Sequence, residues 1–133
     1  MILPDTHALI WYTTLNSRLG PRADRRMREA IADGDAAFSA ISIWEVALLL
    51  EKRRLALGVT ALQWRQNLLT AGLIEIPVNG AIAAHSVALT DFHDDPADRI
   101  VVATALEGQH QLITDDHHIL NWSGELDRFP ARR

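Results

Sequence analysis

Short apolar runs alternate along the chain with longer segments in which apolar residues recur at helical spacing. The short runs predict strands at residues 1–4, 36–39, 73–76, 111–114 and, near the C-terminus, 126–129. The longer segments predict helices at residues 6–15, 21–33, 42–54, 60–72, 79–89 and 95–108. Strands that alternate with helices indicate an α/β fold, with a mainly parallel central sheet in a three-layer α/β/α arrangement. A chain of this length fits one core, so we expect residues 1–133 to form a single domain.

Capping patterns mark the starts of several predicted helices. Residues 42–45 and 60–63 each have a hydroxyl residue three positions before a glutamate or glutamine, which is the spacing of a capping box. Asp95 precedes Pro96, an order typical of a helix cap followed by the first helical residue. We therefore expect Ser42 to cap the third helix and Asp95 to cap the sixth.

Acidic residues follow two predicted strands and lie near the starts of two helices. Asp5 follows the first strand and Asp116 the fourth, whereas Glu45 and Asp98 belong to early helical turns. Because the carboxyl ends of parallel strands share one edge of a sheet, we expect these side chains to meet in one cleft. Carboxylates packed together repel one another, and at neutral pH they either take up protons or bind a cation.

Composition narrows the choice of cation and of chemistry. The chain has no cysteine, which excludes disulfides, thiolate nucleophiles and cysteine-bound zinc. Carboxylate oxygens select Mg²⁺ or Mn²⁺, ions that also engage phosphate oxygens. A site with one or two such ions suits hydrolysis of a phosphodiester bond by metal-activated water. The six histidines match no metalloprotease motif, and we expect the adjacent His117 and His118 to point apart.

Each acidic residue also has a purely structural interpretation. Glu45 is the expected partner in a capping box, and a cap is the preferred role for Asp95. Asp98 favours the dipole of the helix that it begins, and Asp115 with Asp116 is typical of a turn. The order and placement of these residues, more than any one of them, favour a metal site.

Four short motifs resemble, in order and spacing, those of a known family. They are DTHALIW at 5–11, SAISIWE at 39–45, HDDPADR at 93–99 and TDD at 114–116. They resemble the successive motifs of PIN-domain ribonucleases, most closely the VapC-type toxins of type II toxin–antitoxin pairs, and the resemblance covers essentially the whole chain. Two residues depart from the family pattern: Pro4 replaces an aliphatic residue, and Ala97 replaces a common phenylalanine.

The resemblance implies an endoribonuclease toxin that depends on one or two Mg²⁺ or Mn²⁺ ions. It also implies a homodimer and a cognate VapB-type antitoxin, whose tail would fill the acidic groove. The implied catalytic and metal-binding positions are Asp5, Glu45, Asp98 and Asp116, with Thr114, Asp95 and Asp115 in supporting roles. In this assignment Asp5 and Asp98 hold the ion directly, whereas the other two carboxylates act through water or hold a second ion.

The basic residues are unevenly placed, although the net charge is −4. We expect Arg22, Arg25 and Arg26, on the outer face of the second helix, to contact the RNA backbone. Arg99 is a further candidate for contact with phosphate. Both predictions have a structural alternative. The three arginines of the second helix could form only a solvated helix face, and Arg99 could only neutralise the acidic residues near it.

Two other functions stay open at this stage. A catalytically silent relative would bind RNA or a protein partner without cutting it. A receiver-like site would use Asp5 to accept a phosphoryl group, although the only lysine, Lys52, falls at the far end of its helix. We see no signal peptide and no membrane span, and therefore expect a cytoplasmic protein without membrane contact.

Overall fold

The computed structural model describes all residues from 1 to 133 and has the predicted alternation of strands and helices. The strands are β1 (Ile2–Pro4), β2 (Ala37–Ser39), β3 (Ile74–Ile76), β4 (Gln111–Thr114) and β5 (Arg128–Pro130). The helices are α1 (Thr6–Thr13), α2 (Pro21–Ala32), α3 (Ala40–Glu51), α4 (Ala61–Ala71), α5 (Gly80–Ala88), α6 (Pro96–Gly108) and α7 (His117–Leu120). The sequence did not predict α7, because four residues are too few to show a helical period.

All strand pairs are parallel. β4 lies between β1 and β5, and β2 pairs with β3. A single bridge between Ile2 and Ala36 links the two groups, which places the strands in the order β3-β2-β1-β4-β5. The neighbours of β1 are thus β2 on one side and β4 on the other. The strand order therefore runs outward from β1 in both directions, with β2 and β3 on one side and β4 and β5 on the other. In α/β folds, ligands bind at the point where the strand order reverses in this way.

Pro4 explains why the pairing between β1 and β2 is so short. The N–H of Ile2 donates to the carbonyl of Asp35 at 2.9 Å, so this side of β1 faces β2. Two residues later, Pro4 presents its nitrogen on the same side but has no N–H to donate. On the opposite side, the N–H of Asp5 donates to the carbonyl of Ile113 at 2.9 Å. The end of β1 that carries Asp5 is therefore anchored to β4.

Two apolar clusters cover the two faces of the sheet. Ile2 in β1 and Ile113 in β4 belong to the first cluster, which includes buried residues of α1, α2 and α4. Their neighbours Leu3 and Leu112 belong to the second cluster, with buried residues of α6 and α7. Successive strand residues point to opposite faces, so both faces of these strands are apolar. The predicted three-layer arrangement with a parallel sheet is confirmed.

The predicted caps at Thr60 and Asp95 are confirmed, but the predicted cap at Ser42 is wrong. Ser39 caps α3, and its side chain accepts a hydrogen bond from the N–H of Ile41 at 3.2 Å. The chain enters the helix directly from β2, so the extended backbone that a cap requires occurs at Ser39. Ser42 is already helical, and its side chain is buried.

No helix of the fold combines the length and the apolar character that crossing a membrane requires.

We expect Ser39→Ala to lower the free energy of unfolding by about 1 kcal/mol, because an N–H at the start of α3 loses its acceptor. The control Ser42→Ala should cost less, since the higher helix propensity of alanine offsets part of the lost polar contact. Urea denaturation of both variants measures the difference. A larger loss for Ser42→Ala would return the capping role to Ser42.

Candidate metal centre

An acidic cleft of about 330 Å³ opens at the carboxyl ends of β1 and β4. It is lined by Asp5, Thr6, His7, Trp11, Glu45, Asp95, Asp98, Val101, Asp115 and Asp116. Six of these ten residues are carboxylates, and they come from four separate stretches of the chain. The structure thus brings together all the acidic residues that the sequence singled out. No lysine lines the cleft, which disfavours the receiver-like alternative.

Thr114 ties two of the acidic residues together. Asp5 follows β1 and caps α1, where its Oδ1 accepts a hydrogen bond from the N–H of Ala8 at 2.9 Å. Its Oδ2 accepts a hydrogen bond from the buried hydroxyl of Thr114 at 2.5 Å. That same hydroxyl oxygen accepts a hydrogen bond from the N–H of Asp116 at 3.0 Å. Burial raises the pKa of Asp5, although the two hydrogen bonds to its carboxylate oppose this effect.

Glu45 is held from α1 rather than from its own helix. The hydroxyl of Thr6 donates to Glu45 Oε1 at 2.5 Å, and Thr6 Oγ1 also lies 2.8 Å from the hydroxyl oxygen of Ser42. A hydroxyl has one hydrogen, so Thr6 donates to the carboxylate and accepts from Ser42. Burial raises the pKa of Glu45 against the opposing hydrogen bond from Thr6. The capping-box interpretation of Glu45 is wrong, because α3 begins at Ala40.

The closest group of potential metal ligands comprises His93, Asp98 and Asp116. One ligand atom from each of the three lies within 4.8 Å of the other two. The first turn of α6 positions Asp98, whose N–H donates to the cap Asp95 at 2.9 Å. Asp116 caps α7 by accepting a hydrogen bond from the N–H of His118 at 2.8 Å. The sequence had paired Asp5 with Asp98 as direct ligands, whereas the structure groups Asp98 with Asp116.

The pKa of Asp98 is raised well above its usual range. Burial is the largest cause of the raised pKa, and the negative charges of four neighbouring carboxylates add to it, namely those of Asp95, Asp116, Glu45 and Asp5. Together they raise the pKa of Asp98 to about 8. At neutral pH the group of carboxylates therefore holds a proton, and a divalent cation relieves the same repulsion by replacing it. The oxygen-rich donor set fits a hard divalent ion.

Arg99 has a structural role that differs from the predicted contact with phosphate. Its guanidinium donates to the carbonyls of Ser86, Leu89, Phe92 and His93, at 2.7–3.3 Å. Four of its five N–H groups are thus committed to the connection between α5 and α6. Arg99 holds this loop against α6, beside the cleft.

The other predicted basic residues lie in a separate place. Arg22, Arg25 and Arg26 line a shallow depression of about 150 Å³ with Glu29 and Phe129, and it shares no residue with the acidic cleft. The guanidinium of Arg26 lies 5.3 Å from the centre of the Phe129 ring. Their surface position is compatible with contact to an extended RNA.

The sequence interpretation missed three residues at or beside the cleft. Thr6 carries no signal of its own, because its partner Glu45 is distant in the chain. Arg132, near the C-terminus, donates to Asp115 at 2.8 Å, which a strand-and-helix pattern does not reveal. His93 had a signal in its position just before the acidic helix start, but the histidines match no metal-binding motif that would single it out.

The adjacent histidines also differ from the prediction. The rings of His117 and His118 lie 4.1 Å apart rather than pointing in different directions, and His118 stacks on His93 at 4.2 Å. These two residues begin a short helix at the cleft, where the regular spacing of a long helix does not apply. Three imidazoles thus lie together at this side of the cleft.

The chain is similar to known proteins in both sequence and fold. Ribonuclease VapC22 of Mycobacterium tuberculosis is 34% identical over 119 residues, which cover 89% of this chain and 88% of that protein. The fold is similar to that of VapBC2 from Rickettsia felis bound to a DNA fragment from its promoter, with a TM-score of 0.70, 14% identity and 98% of both chains covered. It is also similar to a toxin–antitoxin complex from Klebsiella pneumoniae, with a TM-score of 0.62, 23% identity and coverage of 97% of this chain and 96% of that one. Residues 2–123 match the PIN domain, and the chain therefore belongs to the PIN-domain family.

Proposed function

We propose that this chain is a divalent-metal-dependent endoribonuclease that acts as the toxin of a toxin–antitoxin pair. The observation that carries the proposal is the gathering of six carboxylates in one cleft at the end of β1 and β4. The name of the relative from Mycobacterium tuberculosis, a ribonuclease, supports RNA as the substrate. We assign the catalytic and metal-binding roles to Asp5, Glu45, Asp98 and Asp116.

The chain's own residues fix the geometry that hydrolysis requires. A bound Mg²⁺ or Mn²⁺ ion supplies Lewis-acid chemistry, which lowers the pKa of a bound water and offsets charge on phosphate. Asp98 and Asp116, with Asp5 and Glu45 beside them, would hold one or two such ions. Thr6 occupies Glu45 Oε1, so Oε2 is left to accept a hydrogen bond from the attacking water. The water oxygen would bond to phosphorus as the ester P–O bond breaks, with its proton passing to Glu45 Oε2 and the leaving oxygen taking up a proton to become a hydroxyl.

The protein partners follow from the same family. The similar structure from Klebsiella pneumoniae is described as a toxin–antitoxin complex and the one from Rickettsia felis as VapBC2, which supports a VapB-type antitoxin for this chain. The cleft attracts cationic side chains, so an antitoxin arginine placed there would exclude both metal and RNA. A homodimer would cover exposed apolar side chains such as Trp44 on α3, which is 56% exposed, and Val87 on α5. The cytoplasmic location and the single-domain organisation stay predictions.

Purified antitoxin-free protein should cut a mixed pool of structured RNAs at discrete sites when Mg²⁺ or Mn²⁺ is present. Chelation of the metal and the variant Asp98→Asn should each abolish these cuts, because each removes part of the metal site. Asp33→Asn makes the same chemical change at the C-cap of α2 and should leave cleavage unchanged. Gel analysis of end-labelled RNA gives the readout. A folded protein that binds metal but cuts none of these RNAs would favour the catalytically silent alternative.

Thr114→Val should weaken binding of Mn²⁺ by about 10–100-fold, the usual effect of removing a group that orients a metal ligand. The valine has nearly the shape of threonine but loses the hydroxyl that holds both Asp5 and Asp116. Thr114→Ser retains the hydroxyl and should bind the metal nearly as well as the wild type. Isothermal titration calorimetry measures both affinities. Equal affinity for the valine variant and the wild type would contradict the orienting role.

Charge reversal of Arg22, Arg25 and Arg26 to glutamate should weaken RNA binding and reduce its dependence on salt. Each lost phosphate contact lowers the slope of log K against log salt by about 0.7 for single-stranded RNA. The control variant replaces the three basic residues that follow α3 with glutamate, and so makes the same change in charge at a different place: Lys52, Arg53 and Arg54. Fluorescence anisotropy at several salt concentrations compares the two variants. Unchanged binding in the α2 variant would leave these arginines as a solvated helix face.

A further inference from the structure

His93 places an imidazole nitrogen directly beside two of the proposed metal-binding carboxylates. Its Nε2 lies 3.1 Å from Asp98 Oδ2, and both residues belong to the close group that includes Asp116. The Nε2 atom is buried, yet it makes no hydrogen bond with any protein group, including the nearby Asp98 oxygen. A buried polar atom without a partner is costly, so this nitrogen requires an explanation.

The geometry of the pair distinguishes a metal ligand from a hydrogen-bond donor. Two neighbouring ligands of one octahedral ion with bonds of about 2.1 Å lie about 3 Å apart, and each points about 45° away from the line that joins them. A hydrogen bond over the same distance requires the ring N–H to point along that line. His93 and Asp98 have the distance that both cases share, but they lack the alignment of a hydrogen bond. The Nε2 atom is therefore left without a protein partner and is available to bind an ion beside Asp98.

The surrounding residues hold the ring of His93 in place. Arg99 Nε donates to the His93 carbonyl at 2.8 Å, and the other bonds from the same guanidinium fix the preceding loop. The imidazole of His118 stacks on the His93 ring with an angle of 17° between the planes. The ring of Phe92 contacts it edge-on at 4.7 Å. A side chain restrained on these sides is prepared for a directional bond.

We propose that His93 Nε2 is a direct ligand of the divalent ion at Asp98 and Asp116, and that it makes this site select a transition-metal ion such as Mn²⁺ over Mg²⁺. The inference rests on the metal site of the proposed function and adds a nitrogen to its oxygen donors. Mg²⁺ is a hard ion that keeps oxygen ligands and water, whereas imidazole binds first-row transition metals. A nitrogen donor therefore favours the second class of ion.

Pulsed electron paramagnetic resonance of the full chain loaded with Mn²⁺ tests for the bond directly. We expect a nitrogen hyperfine coupling that changes when the histidines are labelled with ¹⁵N. The coupling should vanish in His93→Gln and persist in His7→Gln, whose histidine lines the same cleft outside the close group. The labelled wild type gives a result even where a variant does not fold.

Calorimetry then tests the selectivity. Loss of a direct ligand in His93→Gln should weaken Mn²⁺ binding by about 10-fold or more. Removal of a group that only orients a ligand already weakens metal binding by about 10-fold, and a direct ligand should matter at least as much. Binding of Mg²⁺ should change much less, and His85→Gln, whose histidine pairs with Glu107 outside the cleft, should alter neither affinity. Equal weakening of both ions would overturn the selectivity that we assign to His93.

The outcomes separate this inference from the proposed nuclease function. Bound Mn²⁺ without nitrogen coupling, together with RNA cleavage, would overturn the role of His93 and leave the nuclease intact. Nitrogen coupling that depends on His93, in a protein that cuts no RNA, would support the ligand and contradict the nuclease. Failure to bind any divalent ion would overturn both.

Discussion

Repulsion between carboxylates is the constraint on which the cleft depends. The fold places six acidic side chains at one edge of the sheet, ranging from the buried Asp5 to the exposed Asp95. The raised pKa of Asp98 is the direct result of this crowding. A group of this kind is stable only when protons or a cation compensate the charge, and it therefore exchanges one for the other. Repulsion between the carboxylates therefore has two effects. It destabilises the empty cleft when every carboxylate is charged, and it favours the binding of a divalent ion.

Neutral hydroxyl groups hold the carboxylates without cancelling their charge. Thr114 donates to Asp5, and Thr6 donates to Glu45, so each carboxylate keeps an oriented position. An arginine or lysine in either place would form an ion pair and compete with the metal. Arg99, the one strong base on α6, instead donates to backbone carbonyls. The positive charge of Arg99 is thus bound by backbone carbonyls and not by the carboxylate oxygens of the cleft.

The parts of the fold that sequence reasoning predicted are those that depend on local patterns. Apolar runs and capping residues located the strands and most helices to within a few residues, and the motif order identified the acidic positions. Ser42 shows where local reasoning fails, because it has the capping-box glutamate three residues later and Ser39 does not, yet Ser39 is the cap. Only the path of the chain out of β2 decides that Ser39 is the cap. The short helix α7 escaped detection because its formation depends on the cap at Asp116.

The order of amino acids alone established the α/β class, the parallel sheet and which carboxylates belong to the cleft. These features follow from periodicity and from the rule that parallel strands end at one edge. Tertiary structure decided which donors lie next to one another: Thr114 with Asp5, Thr6 with Glu45, and His93 with Asp98. It also turned Arg99 from a candidate RNA contact into a clamp for the loop that carries His93. Such pairs join side chains from separate segments or irregular loops, and their distances depend on how the helices pack across the sheet, which no local pattern encodes.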